Sequence, residues 1–252
     1  MSHLPTALIF DVDGTLADTE RDGHRVAYNS TFKSFDLDWH WSVEEYGELL
    51  AVTGGKERMR FYLDRLGKTA DDALINQIYA AKSDKFQDMI RNGELGLRPG
   101  VKRILALARE QGVRLAVATT TNPGNVTSLL ASNLGEDSIG WFEVIAAGDI
   151  VPAKKPAPDI YEYAMQQMNI GPEGCVALED SGNGLKSSRA AGLPTLITIT
   201  DYTAEEDFSD AALVVDHFGD TDNPTRVIQN PLNIAVERII DMAVLAQIAQ
   251  TR

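Results

Sequence analysis

The run Ala7-Leu8-Ile9-Phe10 passes without a break into Asp11-Val12-Asp13-Gly14-Thr15-Leu16, and this junction constrains the fold more than any other stretch of the chain. A short apolar run that ends at a glycine-containing turn suits a strand buried on both faces, as in the centre of a parallel sheet. Asp11 and Asp13 then leave the strand end on one face, while Val12 between them points back into the core. Two carboxylates this close repel each other unless a cation or a shared proton lies between them. A helix cap or an Asx turn would also place aspartate at a strand end. The meaning of the pair therefore depends on what the remaining strand ends supply.

After this strand the hydrophobic period changes to that of a helix. Residues 21–35, 42–52, 55–66 and 69–91 carry apolar side chains at three-to-four spacing with charges between them. Ser42 with Glu45 forms a capping box, and Thr69 followed by Asp71 and Asp72 marks another helix start. From Leu97-Arg98-Pro99-Gly100 onward, strands (114–118, 144–147, 175–178, 195–199) alternate with helices (101–111, 125–133, 158–169, 182–191). Such alternation predicts βαβ units with right-handed crossovers. The expected fold class is α/β: a Rossmann-like parallel sheet core interrupted after its first strand by an inserted all-α helical cap domain. The core takes residues 1–17 and 97–222 and the cap 18–96, with hinges near 17–20 and 93–99. Ile234, Ala235, Ile239, Met242, Leu245, Ala246 and Ile248 would share one face of a C-terminal helical extension, 223–252, packed on the core.

Composition narrows the partners. A net charge of -14 over 252 residues argues against nucleic acid and against an anionic membrane surface, both of which are bound by clustered lysine and arginine. No secretory leader is expected, since residues 1–6 are polar and the apolar run after them is short, and no stretch is long and apolar enough to span a bilayer. The single cysteine, Cys175, cannot form an intrachain disulfide; next to Val176-Ala177-Leu178 it reads as a core residue of a cytoplasmic protein. A monomer is the expected state, with a dimer as the alternative.

In a parallel sheet, chemistry collects at the carboxyl ends of the strands. Thr119-Thr120-Thr121-Asn122 follows the second strand, and its hydroxyls and free amides at a helix start suit a phosphate oxyanion, although such residues also serve as plain N-caps. Lys154-Lys155-Pro156-Ala157-Pro158-Asp159 follows the third and holds cations on a stiff turn. Glu179-Asp180-Ser181-Gly182-Asn183-Gly184 follows the fourth and offers hard oxygen ligands. Acids of the first and fourth strands would share Mg²⁺.

Asp11 to Leu16, Thr119, Lys155-Pro156 and Glu179-Asp180 together resemble the complete motif set of the haloacid dehalogenase phosphatase superfamily, over about residues 7–200. The helical insert is similar to the small cap of its β-phosphoglucomutase and sugar-phosphatase branch. Residues 17–25, the segment Thr53-Gly54-Gly55-Lys56-Glu57-Arg58, and Lys155 to Tyr161 resemble the CbbY group. That resemblance implies a Mg²⁺-dependent phosphatase acting on xylulose-1,5-bisphosphate or a similar sugar bisphosphate. It makes Asp11 the nucleophile that forms an aspartyl-phosphate and Asp13 the general acid and base, a division the spacing also permits. It implies a metal held by Asp11, the Asp13 carbonyl and Asp180, with Glu179 close by. Thr119, Thr120 and Lys155 would bind phosphoryl oxygens, and Asn183 would lie near the metal or a phosphate.

In the cap, Glu20 and His24 are four apart and would share the helical face that meets the sugar. Lys56 and Arg58, with Gly55 allowing close backbone approach, are the cations suited to a second phosphate. Two other activities fit the same motifs. A phosphomutase would pass the phosphoryl group to a sugar hydroxyl, and a non-catalytic Mg²⁺-binding receiver would have no use for a proton donor at Asp13.

Overall fold

The computed structural model describes residues 4–52, 54–69 and 71–251. Thr53 of the CbbY-like segment and Ala70 of the expected fourth helix lie outside them. The chain divides into two compact units, one formed by the residues up to Asp18 together with those from Gly96 onward, the other by Thr19–Leu95.

Strand β1 (Ala7–Phe10) is wholly buried. The second unit follows it, with a π-helical turn (Glu20–His24), α1 (Arg25–Ser34), α2 (Val43–Leu49), α3 (Gly55–Arg65) and α4 (Asp72–Arg91). The chain returns through α5 (Val101–Glu110), β2 (Arg114–Thr119), α6 (Pro123–Leu134), β3 (Val144–Ala147) and α7 (Asp159–Gln167). It ends with β4 (Cys175–Glu179), α8 (Gly182–Ala190), β5 (Thr195–Thr198), β6 (Leu213–Val215), β7 (Val227–Gln229) and α9 (Met242–Ile248).

The seven strands form one sheet in the order β3-β2-β1-β4-β5-β6-β7, parallel except for the last pair. The sheet is thus Rossmann-like, as expected. Chain order runs one way from β1 through β2 to β3 and the other way from β4 to β6, so the β1/β4 seam is the topological switch point where such sheets place their ligands. Phe10 aligns with Val117 of β2 and Leu178 of β4, so the carboxyl ends of the three strands lie level. Cys175 is fully buried, in accord with a core role.

Three expectations are corrected. The helix read from residue 21 opens as a π-helical turn, inside which Gly23 packs so tightly that a Cβ there would fall 2.6 Å from Phe86 and 2.9 Å from Leu95. The cap of α4 is Asp71, not Thr69: its carboxylate accepts from the N–H groups of Ala73 and Leu74, at 2.9 and 3.5 Å. The C-terminal helix covers only seven residues, Met242–Ile248, where Asp241 accepts from Val244 N–H at 2.9 Å. Before it, Val227–Gln229 pairs antiparallel with β6, and the Asn230 side chain ties both backbone groups of Ile234 into a turn. Of the residues expected on one helical face, Ile234, Met242, Leu245, Ala246 and Ile248 are buried, but Ile234 lies in the turn, Ala235 is exposed and Ile239 is only partly buried.

The second unit is built on aromatic rings. Trp41, fully buried, lies 4.7 Å from Tyr28, 4.9 Å from Phe32 and 5.5 Å from Tyr62 between ring centroids. Asn29 holds its backbone on both sides, at 2.8 Å each. Trp39 packs edge-on against Phe32 and Tyr62. Among the described residues no helix is long and apolar enough to cross a membrane.

Candidate active site

The turn after β1 continues the ladder by one residue, since Asp11 N–H donates to Leu178 O at 2.9 Å. It then closes on itself through Leu16 N–H to Val12 O and Gly14 N–H to Ala17 O, at 2.9 and 2.7 Å. Asp11 is thereby held at the strand end and buried, while Asp13 is half-buried and bridges to Ala17.

Lys155, which follows β3 and precedes a cis peptide to Pro156, reaches the β1/β4 seam. Its Nζ donates to Asp11 Oδ1 and to Glu179 Oε1, at 2.6 Å each. Tyr161 of α7 donates its hydroxyl to the same Glu179 oxygen at 2.6 Å. One carboxylate oxygen each from Asp11, Glu179 and Asp180 lies within 4.8 Å of the others.

Three acids face one ammonium here. Burial pushes Asp180 well above the usual carboxylate range, and the charges of Asp11 and Glu179 push it further. Burial also raises Glu179, to about 7, against the pull of Lys155. Burial alone would lower Lys155, but Asp11 and Glu179 outweigh it and hold the ammonium above its ordinary value. The cluster therefore lacks positive charge, and its donors are all hard oxygens, the set that suits a divalent cation of the magnesium or calcium kind. The residues fit a metal.

The remaining core candidates divide. Thr119, at the end of β2, is buried and its Oγ1 accepts from Thr121 N–H at 3.3 Å, whereas Thr120 is exposed. The N-cap of α6 is Asn122, which accepts from Gly124 N–H at 2.8 Å. Asn183 is exposed in the first turn of α8 and borders a cavity of about 330 Å³ with Lys186, Arg189, Glu206 and Asp207, a lining that includes none of the three acids. Lys154 turns to Asp149 at 2.7 Å.

In the second unit the expected residues fall into two groups. Tyr46 donates its hydroxyl to Glu20 Oε2 at 2.6 Å and accepts from Arg58 Nη1 at 2.7 Å. Arg58 is buried, and its Nε has no hydrogen-bond partner among the described residues. His24 instead lies 2.8 Å through Nδ1 from Lys82 Nζ and 3.8 Å from the Phe86 ring. Burial, and then the Lys82 charge, lower its pKa well below 6.5, so the imidazole is neutral and Nδ1 accepts. Lys56 lies 5.3 Å over the Tyr79 ring. A Cβ at Gly55 would fall 2.2 Å from the Tyr28 hydroxyl, so a side chain there would displace the ring.

Tyr161, Tyr46 and Lys82 are not marked by a catalytic pattern in the sequence. Lys82 does carry a signal, because Ile75, Ile78, Phe86 and Ile90 place it on the buried stripe of α4. A lysine at such a position needs partners. Gly184 is similar: a Cβ there would lie 1.9 Å from Glu179 Oε2. Gly184→Ala is expected to displace the Glu179 carboxylate and cost about 1–3 kcal/mol of stability. Chemical denaturation measures this, and an unchanged midpoint would mean that Glu179 swings aside freely.

A model of the haloacid dehalogenase-like hydrolases matches residues 5–192. The chain belongs to this hydrolase family, and it is a phosphatase. Within the family it is similar to the CbbY proteins. It is 49% identical to CbbY of Rhodobacter capsulatus over 205 residues, 81% of this chain and 90% of that protein. It is 42% identical to the plasmid CbbY of Cupriavidus necator over 244 residues, 95% and 94% of the two chains. The crystal structure of CbbY from Rhodobacter sphaeroides with phosphate superposes with a TM-score of 0.78 at 44% identity, covering 86% of this chain and 96% of that one. A variant of the same protein, solved with xylulose-1,5-bisphosphate, matches to the same extent.

Proposed function

We propose that the chain is a Mg²⁺-dependent sugar-phosphate phosphatase working through an aspartyl-phosphate on Asp11, with xylulose-1,5-bisphosphate or a similar sugar bisphosphate as substrate. The observation that carries this is the seating of Asp11 between Lys155 and the Asp180 and Glu179 carboxylates at the sheet's switch point. The xylulose bisphosphate bound to the Rhodobacter sphaeroides protein, at 44% identity, supports the substrate class.

Lys155 holds the Asp11 carboxylate in place at the strand end through its 2.6 Å hydrogen bond. A carboxylate oxygen of Asp11 bonds to phosphorus as the bond from phosphorus to the sugar oxygen breaks, and Asp13 gives its proton to the departing alkoxide. Asp13 then takes a proton from water, whose oxygen displaces Asp11 and releases inorganic phosphate. Thr119, Thr120 and Lys155 bind the phosphoryl oxygens. Asp11, the Asp13 carbonyl and Asp180 would hold Mg²⁺ with Glu179 beside them, and Asn183 would lie nearby. When bound, the ion supplies positive charge against the transferring group.

In this reading residues 18–96 are the cap that selects the substrate, with Glu20 and His24 meeting the sugar and Gly55, Lys56 and Arg58 receiving the second phosphate. The unpaired Nε of buried Arg58 supports an anion there. Its single buried cysteine supports a cytoplasmic enzyme.

Phosphate release from a panel of sugar mono- and bisphosphates with Mg²⁺ tests the function. Release from xylulose-1,5-bisphosphate without an isomerised sugar phosphate is expected; conversion of β-glucose 1-phosphate to the 6-phosphate would instead establish a mutase. Arg58→Ala is expected to lower kcat/KM about 100-fold on bisphosphates, the loss of a charge-assisted pair worth about 1.5–3 kcal/mol, and much less on monophosphates. Equal losses on both would remove Arg58 from the distal-phosphate role.

A further inference from the structure

Arg98 lies where the chain re-enters the core unit, two residues after its first residue Gly96. Its backbone N–H donates to Leu16 O at 2.8 Å, joining the returning segment to the end of the nucleophile turn. Its guanidinium is mostly enclosed and gathers carbonyls from three strand ends. Nη1 donates to Gly14 O and, at 3.0 Å each, to the carbonyl and hydroxyl of Thr198, the last residue of β5. Nη2 donates to Ile199 O and to Asp216 O, just past β6, at 2.6 Å each.

Gly14 connects this group to the acids. Its φ is +84°, and a Cβ there would lie 2.1 Å from Asp180 Oδ2, so the Gly14 backbone rests directly against the Asp180 carboxylate. The Gly14 peptide is thus held between Arg98 on its carbonyl and Asp180 on its Cα. A planar fork with five donors can hold four carbonyls at fixed angles, which a lysine ammonium cannot.

We propose that Arg98 is a positioning residue: by anchoring the Gly14 carbonyl to the ends of β5 and β6, it sets the spacing of the nucleophile turn from Asp180. The inference rests on the assignment of Asp11 and Asp180 to phosphoryl transfer and metal holding. Its rival is a staple that merely stabilises the fold, and the same unit contains such a staple for comparison. Arg103 donates to Phe218 O, Gly219 O and Ile240 O at 3.0, 2.6 and 2.9 Å, and the acids beside it are Asp220 and Asp241.

The test compares Arg98→Lys, Arg98→Gln and Arg103→Ala in the full chain. Mg²⁺ affinity is measured by calorimetry, kcat and KM by phosphate release, and Tm by thermal unfolding. Both Arg98 variants are expected to bind Mg²⁺ about 10- to 100-fold more weakly, the usual effect of removing a group that orients metal ligands. Their kcat should fall with KM within twofold of the parent. Arg103→Ala should lower Tm while Mg²⁺ affinity and kcat stay within twofold. Mg²⁺ affinity within twofold of the parent in Arg98→Lys overturns the proposal even if Arg98→Gln fails to fold. A parent that binds Mg²⁺ but hydrolyses no sugar phosphate overturns the proposed function, while the calorimetric comparison still decides the role of Arg98. A parent that binds no Mg²⁺ overturns both.

Discussion

Asp11→Asn is expected to lower phosphate release by at least about 10⁴-fold, as removal of a nucleophile does elsewhere. Asparagine keeps the shape of the side chain and an oxygen that can accept from Lys155 at the place of Oδ1. What it loses is the negative charge that attacks phosphorus. Such a rate loss corresponds to about 5.5 kcal/mol of barrier, well beyond the 0.5–1.5 kcal/mol of a weakened neutral hydrogen bond, so the size of the effect separates a nucleophile from a structural contact. Asp13→Asn should lose about 10²- to 10⁴-fold, the usual range for a general acid and base. Wild-type phosphate release by Asp11→Asn, measured with enough protein to exclude contamination, would remove Asp11 as nucleophile.

Lys155→Met is expected to cost the metal-free protein about 3–5 kcal/mol near pH 8, the range for breaking a buried pair by deleting one partner. The side chains involved warrant that range, because Lys155, Asp11 and Glu179 are only 8%, 10% and 1% exposed. The cost depends on pH with a definite sign. Burial has already raised Glu179 to about 7 from an unfolded value near 4.5, and it raises Asp180 from 3.8. Groups with raised carboxyl pKa values hold protons in the folded state, so their stabilising contribution is full below the unfolded values and is lost as pH rises through the folded ones. Without the ammonium these values rise further. The deficit of the variant should therefore shrink toward pH 5, where the acids are protonated, and grow toward pH 8. Urea unfolding in EDTA across that range measures it; a deficit that does not change with pH would show that Lys155 is not the counter-charge of these acids. Added Mg²⁺ should recover part of the loss by replacing the missing charge.

The first five strands and the acids at their ends were legible in the sequence for the same physical reason, whereas the three-residue β6 and β7 were not. A buried parallel strand must be a short apolar run, and a polar residue just beyond it can only be at the carboxyl end, so Ala7–Phe10 and Cys175–Glu179 announced where Asp11, Glu179 and Asp180 would stand. The C-terminal segment misled because Ile234, Met242, Leu245 and Ile248 are buried at spacings that one helix would also give, although only the last three belong to a helix. Periodicity records burial, not the backbone that achieves it. Lys82 and Tyr46 were missed because their partners, His24 and Glu20, lie 58 and 26 residues away and no local spacing joins them. Tyr161 lay inside a recognised segment, but its contact with Glu179 spans 18 residues and two elements.

The aromatic packing of the helical unit gives the protein a built-in optical reporter. Of its three tryptophans, Trp39 and Trp41 are buried within that unit, whereas Trp141 belongs to the sheet unit and lies against Arg109, whose guanidinium is 4.1 Å from the ring. In a Trp141→Phe variant, emission excited at the tryptophan band would follow the state of the helical unit alone, while far-ultraviolet circular dichroism sums over both. Recorded on one sample, the two signals read separately what an activity assay can only report together.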